Sequence, residues 1–528
     1  MTAPTVVPPE PAGEDDRIYQ RRWWTLGVLA LSLVIIGLDN TVLNVALPTL
    51  QRTFGATAAE LQWMVDAYVL VFAGLLLTFG ALGDRFGRAR ALQVGLVIFA
   101  VASIAATFST EAVHLIAARI GMGIGGALIM PSTLSVIANV FPPAERVKAI
   151  TIWAGVSGLG VGLGPLIGGL LIENFDWRAV FLLNVPIAVI ALILGVFLVP
   201  ESRDPSGAPL DVPGAVLSIG AVTTLVYGII EAPAAGWNDP GILAALAAAL
   251  LLAIAFAWRE THTAHPMLDL ALFRDRRFTA GAGAIALTFF ALFGVIFGLT
   301  QYLQFILGKT ALEAGTLSLS LAIGIPLGAR ISLKATEHLG VGRLISAALI
   351  GIAVILLTIT RWTPTTDPLI VAVTLFFLAL FLANVMAPAT GTVMSAVPEA
   401  KAGVGSAMND LLRQLGGALG VAIIGSVMNT VYRDNVADAL VGLPPPAADA
   451  AGDSVGAAVA IATQIGGAAG EALTTTARAA FVDGLGVAVV VAAAIAVVTS
   501  GFVYRVMPRE TGEVAGHPTT AAAATLPR

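Results

Sequence analysis

The sequence predicts an all-α protein that crosses a membrane many times, on three observations. Of its 528 residues, 57% are hydrophobic and only 12% are charged, where a soluble domain carries about 25% charged residues. Apolar stretches recur along the chain at about the 20-residue length that spans a bilayer core. Lys and Arg concentrate in alternate connections between those stretches, as cytoplasmic loops require.

Read in order, the spans fall near 23–47, 60–82, 91–108, 112–136, 148–173, 179–199, 212–231, 240–258, 278–305, 312–333, 344–360, 368–393, 404–430 and 479–505. Fourteen spans place both ends on one side. With a cytoplasmic N-terminus, the inner segments hold nineteen Lys and Arg and the outer segments six, while Arg119, Arg330 and Arg413 fall inside spans. That bias predicts cytoplasmic termini. Residues 1–22 are rich in Pro and charge and are expected to be disordered. The apolar run after Arg21 and Arg22 is too long for a signal peptide and lacks a small-residue cleavage site, so it reads as the first span. Segment 431–478 is expected to be external, and 454–472 within it holds too many polar residues and glycines to span. The Arg-rich usage, 24 Arg to 4 Lys, with abundant Ala and Gly, suggests a GC-rich bacterial genome and hence a bacterial plasma membrane.

Composition also excludes. The chain has no cysteine, which removes disulfides and Cys-ligated metals. His114, His262, His265, His338 and His517 show no metal-ligand spacing, and His262 and His265 read as solvated loop residues. No metal or organic cofactor is expected. The net charge of −5 is small, and no basic patch suggests nucleic acid. No nucleophile–base constellation suggests an enzyme, and no filter or ring of acids suggests a channel.

Asp39 lies inside the first apolar run. A carboxylate there is disfavoured by about 2.5–3.5 kcal/mol on insertion scales, and such groups usually serve as proton relays or substrate contacts. At 1.5 Å per residue, Asp39 lies about 13 Å below Pro48, Asp66 about 9 Å into the second span and Arg119 about 10 Å into the fourth. The three are therefore expected in one layer near the outer side. A structural salt bridge is the alternative, or for Asp66 a wet outer mouth. A carboxyl holds its proton more firmly in apolar surroundings and less firmly beside a guanidinium, so a site alternating between the two would carry protons. In the second half, Asp410 and Arg413 are three apart on one helix face, with Arg330 as another possible partner.

The loop after the second span reads Gly80-Ala81-Leu82-Gly83-Asp84-Arg85-Phe86-Gly87-Arg88-Ala89-Arg90. Its glycines permit a tight turn, and its acid and arginines can clamp a helix end. Here the chain resembles the major facilitator superfamily, whose G-x-L-a-D-r-x-G-r-k signature this matches. Ala89 departs from the usual basic residue, with Arg90 beside it. The resemblance implies two six-helix bundles plus two linker helices: 23–199, 200–277 with the linker helices and a cytoplasmic loop, and 278–505, followed by a cytoplasmic tail, 506–528. It also implies a gate-latch role for Asp84, Arg85 and Arg88. The run Gly340-Val341-Gly342-Arg343 is a degenerate echo that suits an internal repeat.

The fifth span holds Gly160, Gly164, Pro165, Gly168 and Gly169. Small residues let helices touch and proline bends them. The pattern resembles the superfamily's antiporter signature, which implies export by exchange. Three further stretches resemble its fourteen-span drug:proton antiporter branch: Leu38 to Pro48; Trp177-Arg178 with Phe181, Asn184 and Pro186; and Arg413 to Gly420. Tyr302-Leu303-Gln304 and Ala314-Gly315 fit that branch too, while Asp410 stands where it more often has Asn. Arg119 matches the superfamily's R-x-x-q-G position, with Met122 and Gly123. The resemblance implies a monomeric, proton-coupled exporter of hydrophobic, often cationic drugs. The alternative is a dedicated exporter of one metabolite, antibiotic or lipid.

Overall fold

A bilayer offers no partners to backbone groups, so a chain this apolar satisfies its amides within helices. The computed structural model describes residues 14–203, 211–263, 266, 270–396 and 402–507, and no strand occurs among them. The helices are α1 Glu14–Phe54, α2 Ala58–Phe86, α3 Arg88–Thr107, α4 Ala112–Val140, α5 Pro143–Asn174, α6 Arg178–Leu182, α7 Asn184–Leu198, α8 Val212–Ala235, α9 Pro240–His262, α10 Arg276–Gln301, α11 Ala311–Leu339, α12 Val341–Ile359, α13 Pro368–Ser395, α14 Ala402–Val436, α15 Pro445–Asp453, α16 Val455–Ile465 and α17 Gly467–Val506. Thirteen helical stretches among the described residues are long and apolar enough to cross a membrane. The expected fifth span is α5, a continuous helix of 32 residues.

Several boundaries differ from expectation. Helix α1 begins at Glu14, inside the segment expected to be disordered, and Arg22 explains why: its guanidinium donates to both Glu145 oxygens, at 2.8 and 3.1 Å, fixing the start of α1 to α5. Pro48 does not end α1, which runs on to Phe54. Asp39 therefore lies deeper from its helix end than Pro48 suggested. Helix α17 starts twelve residues before the expected 479, and the preceding segment folds into α15 and α16. At eleven residues, α16 is too short to cross. His262 closes the last turn of α9, stacked on Trp258 with ring centroids 4.9 Å apart.

The helices fall into two sets with one pairing scheme. Helix α1 packs on α5 and α7, α2 on α4, and α3 on α4 and α7; in the second set α10 packs on α14 and α17, α11 on α13, and α12 on α13 and α17. Local chemistry repeats with the scheme. Thr57 and Glu60 form a capping box at the start of α2, and Thr310 and Glu313 form another at the start of α11. Gly87 (φ 124°) turns α2 into α3, and Gly340 (φ 76°) turns α11 into α12. Each set has a large buried apolar cluster, and that of the first set takes in Phe293 and Phe297 of α10 and Ala418, Val421 and Ala422 of α14. Helix α8, itself packed on α9, lies against α2 and α14, where Ser426 donates to the Ile229 carbonyl at 2.6 Å.

Close contacts between the sets gather at one end of the bundle, where α15 and α16 lie. A Cβ on Gly169 would sit 2.6 Å from the Ala311 carbonyl oxygen, and one on Gly315 2.9 Å from the Pro165 carbonyl carbon. Gln304 donates to the Val45 carbonyl at 2.9 Å. Gly456 of α16 lies against both Gln51 of α1 and Phe305. This capped end is closed; the Gly80–Arg90 loop lies at the other, motif end.

Candidate functional site

Asp39 of α1, Arg119 two turns into α4 and Asn184 at the start of α7 bring three polar side chains together in an apolar interior. Asp39 and Arg119 form an ion pair with both side chains only 2% exposed. Arg119 Nε also donates to the Met64 carbonyl at 2.9 Å, and its guanidinium lies 4.3 Å from the Tyr68 ring centroid. The Asn184 amide donates to the other Asp39 oxygen at 3.4 Å and to Ser103 Oγ at 3.2 Å, and Ser103 Oγ donates to the Phe181 carbonyl at 2.8 Å. A buried charge needs a partner and further hydrogen bonds to offset its desolvation. Here both charges have them, so Asp39 is held rather than free. The site also explains two sequence stretches that spacing alone left apart: Asn184 meets Asp39, and Trp177 packs edge-on to Phe54 at 5.3 Å.

Asp66 stands apart from that pair. It is fully buried in α2, and neither carboxylate oxygen has a hydrogen-bond partner among the described residues. Gln62, one turn earlier on the same face, sits against Gly425 of α14, where a Cβ would come 2.5 Å from the Gln62 amide nitrogen. Asp66 thus lies on the face of α2 that meets the second set of helices. The expected layer of three charges divides into a closed pair and one unpartnered acid.

At the motif end, Arg88 Nε donates to Asp84 at 2.7 Å across the Gly87 turn, while Arg85 is exposed. Sequence reasoning missed Glu201. Its carboxylate accepts from the Ala89 amide at 3.3 Å and lies 3.5 Å from Arg90 Nε, and the Ser202 carbonyl accepts from the Arg88 amide at 3.0 Å. Gly87 provides no capping side chain, so Glu201 supplies the negative charge that the start of α3 favours. A Cβ on Gly87 would come 2.7 Å from the Glu201 carboxyl carbon. The usable signal was an acid directly after the sixth span, on the side of the arginine loop. Gly80 packs on Pro131 and Gly83 on Ala91 of α3.

The α5 glycines form two seams. Gly160, Gly164 and Gly168 let α1 approach: added Cβ atoms would lie 3.2 Å from Gly37 Cα, 3.1 Å from Thr41 Cβ and 3.2 Å from Val42 Cγ1. Pro165 and Gly169 face α11 at the capped end. In the second set, Gly416 and Gly420 of α14 play the same part against Ala286 and Phe290 of α10. Asp410 is buried and lies 3.9 Å from Arg413, whose guanidinium faces the Phe289 ring at 5.4 Å. Arg330 does not join them: it is exposed on α11, and no ion pair links it to Asp410 among the described residues. No group of three metal-ligating side chains gathers among the described residues.

Two repeated helix sets, a closed end and buried charges in apolar surroundings define a membrane transporter. Residues 29–421 match the Major Facilitator Superfamily, and the chain belongs to that family. It is 38% identical to the Mycolicibacterium smegmatis multidrug efflux pump LfrA over 90% of this chain and 94% of that one. It is 35% identical to the Streptomyces glaucescens tetracenomycin C resistance and export protein, over 91% and 90%. It is 34% identical to the methyl viologen resistance protein SmvA of Salmonella typhimurium, over 88% and 93%. Among solved structures, a bacterial homologue of the lysosomal transporter Spinster in an inward-facing conformation matches with TM-score 0.63 at 17% identity, covering 92% of this chain and 98% of that one. A D-xylose–proton symporter matches with TM-score 0.60 at 14% identity, covering 92% and 98%. These two establish the fold alone.

Proposed function

We propose that this chain is a proton-coupled exporter of hydrophobic, often cationic compounds, working by alternating access in a bacterial plasma membrane. The relatives' names as efflux, resistance and export proteins support this reading. The bias of Lys and Arg assigns the motif end and both termini to the cytoplasm and the capped end to the outside. The closed end is then the outer one. Protons are the coupling ion, and no cofactor takes part.

The observation that carries the coupling is Asp66. An ionised carboxylate this deep with no partner costs several kcal/mol, and the neutral acid avoids that cost. Asp66 therefore bears a proton while the capped end is closed. Separation of α2 from α14 exposes it to water and changes its surroundings. Asp39 is already neutralised by Arg119 and serves to hold α1, α4 and α7 in register. Inward proton movement supplies about 2.3 kcal/mol per charge per 100 mV, plus the pH gradient. Asp410, with its long contact to Arg413 beside Phe289, offers a counter-charge to a cationic substrate.

The test is efflux of a fluorescent cation by energised vesicles. Asp66→Asn is expected to abolish pH-driven transport at normal expression. If Asp39→Asn and Asp66→Asn both keep full pH-driven transport, the mechanism is wrong. A narrower substrate range is the second reading, supported by the tetracenomycin C resistance and export protein among the relatives. A growth-inhibition panel with and without the gene separates broad from narrow resistance.

A further inference from the structure

A small cavity lies at the capped end between α2, α10, α14 and the α15–α16 junction. Its volume is about 30 Å³, and its polar lining includes Gln62, Gln301, Asn429 and Ser454. A water needs about 10–15 Å³ and two to four polar partners, so the chamber has room for about two. Gln62 forms part of its wall, is 1% exposed, and its side-chain oxygen has no partner among the described residues. Gly425 of α14 closes on the Gln62 amide from the other side. Asp66 lies one turn, about 6 Å, deeper along the same face and does not line the chamber.

Several charged groups around this face have partners of their own, including Asp453, which itself lines the chamber. Asp39 pairs with Arg119, and Asp453 with Arg433. Glu231 of α8 accepts from the Trp63 indole at 3.0 Å. Arg52 lies over the Phe305 ring, and Asp410 meets Arg413. At the far end of α2, Asp84 holds Arg88, and Arg90 lies beside Glu201. Gln62, in the chamber wall, lies one turn from the unpartnered acid on the same face of α2.

We propose that Gln62 is the gate on the capped-side proton route to Asp66. In the closed state its amide, pinned by Gly425, separates the chamber from the carboxyl and prevents a proton leak. When α14 withdraws, the amide swings aside and water reaches Asp66. The step moves one proton: each water in the file accepts one and gives one up, and an O–H bond forms or breaks at an Asp66 oxygen. This rests on the reading of Asp66 as the coupling acid.

The test uses the full chain in liposomes loaded with a pH-sensitive dye, with no drug present and a potential imposed by potassium and valinomycin. Gln62→Ala removes four heavy atoms and joins the chamber to Asp66, while Gln62→Leu keeps the plug. Proton influx is expected to rise at least about tenfold in Gln62→Ala, equivalent to about 1.4 kcal/mol off the barrier. It is expected to stay at the parent level in Gln62→Leu and to return to that level in Gln62→Ala/Asp66→Asn. Folding is checked by melting temperature and by binding of a fluorescent cation. A folded Gln62→Ala no leakier than the parent overturns the proposal, as does a leak that persists without the Asp66 carboxyl. Retention of full pH-driven efflux by Asp66→Asn alone overturns instead the reading beneath it.

Discussion

Replacing Arg119 with Leu leaves the Asp39 carboxylate buried with only the Asn184 amide beside it. Removing one partner of a buried pair costs about 3–5 kcal/mol, chiefly through the charge left behind. Two smaller losses add to this: the Met64 carbonyl loses its donor, about 1 kcal/mol, and Tyr68 loses the cation over its ring, about 1–2 kcal/mol when desolvated. Arg119→Leu should therefore destabilise by about 5–8 kcal/mol, with the unpaired charge the larger share. The double variant Asp39→Leu/Arg119→Leu removes both charges. It keeps the smaller losses and adds an Asn184 amide without its acceptor, so its deficit should fall to about 3–4 kcal/mol. The assay is a double-mutant cycle in denaturant-induced unfolding of the detergent-purified protein, followed by tryptophan fluorescence. Single losses that simply add in the double variant would refute a buried ion pair and make the two residues independent packing elements.

Further outcomes follow from other contacts. Gly169→Val drives a side chain into the α11 backbone, so spin labels across the capped end should report a shift toward the open state and cation efflux should fall; unchanged distances would contradict the seam. Glu201→Gln removes the charge at the start of α3 and should cost about 0.3–1 kcal/mol, an effect that fades with added salt; a salt-independent loss in melting temperature would point elsewhere. Asn184→Ala should lower stability by about 1 kcal/mol yet leave the pH dependence of efflux in place, because Asp39 keeps Arg119; a shifted pH profile would make Asp39 the titrating group. Arg330→Ala should leave efflux of cations unchanged, since the residue is exposed and no ion pair ties it to Asp410 among the described residues, and a transport defect at normal expression would return it to the site.

The helical architecture was readable because hydropathy and charge bias act locally along the chain. The glycines of α5 were also readable, since spacing of small residues specifies close approach whatever the partner. Their partners were not: that Gly160 faces Gly37 while Gly169 faces Ala311 depends on how helices more than a hundred residues apart cross. The same limit split the charge layer. Depth along an axis placed Asp39, Asp66 and Arg119 together, but depth says nothing about azimuth, and Arg119 pairs with Asp39 while Asp66 has no hydrogen-bond partner among the described residues. Pro48 misled because a proline within a long packed helix removes one hydrogen bond without ending it. Glu201 and Gln62 escaped notice because neither belongs to a pattern; each acquires a role only from what folds against it.

Asp66 as the proton carrier is tested most directly by proton release on drug binding, followed in weakly buffered detergent solution with a pH indicator. Parent protein and Asp39→Asn should each release protons when a cationic drug binds, and Asp66→Asn should release none while still binding the drug. Undiminished release from Asp66→Asn, with release lost in Asp39→Asn, would contradict the account and return the coupling proton to the Asp39–Arg119 pair.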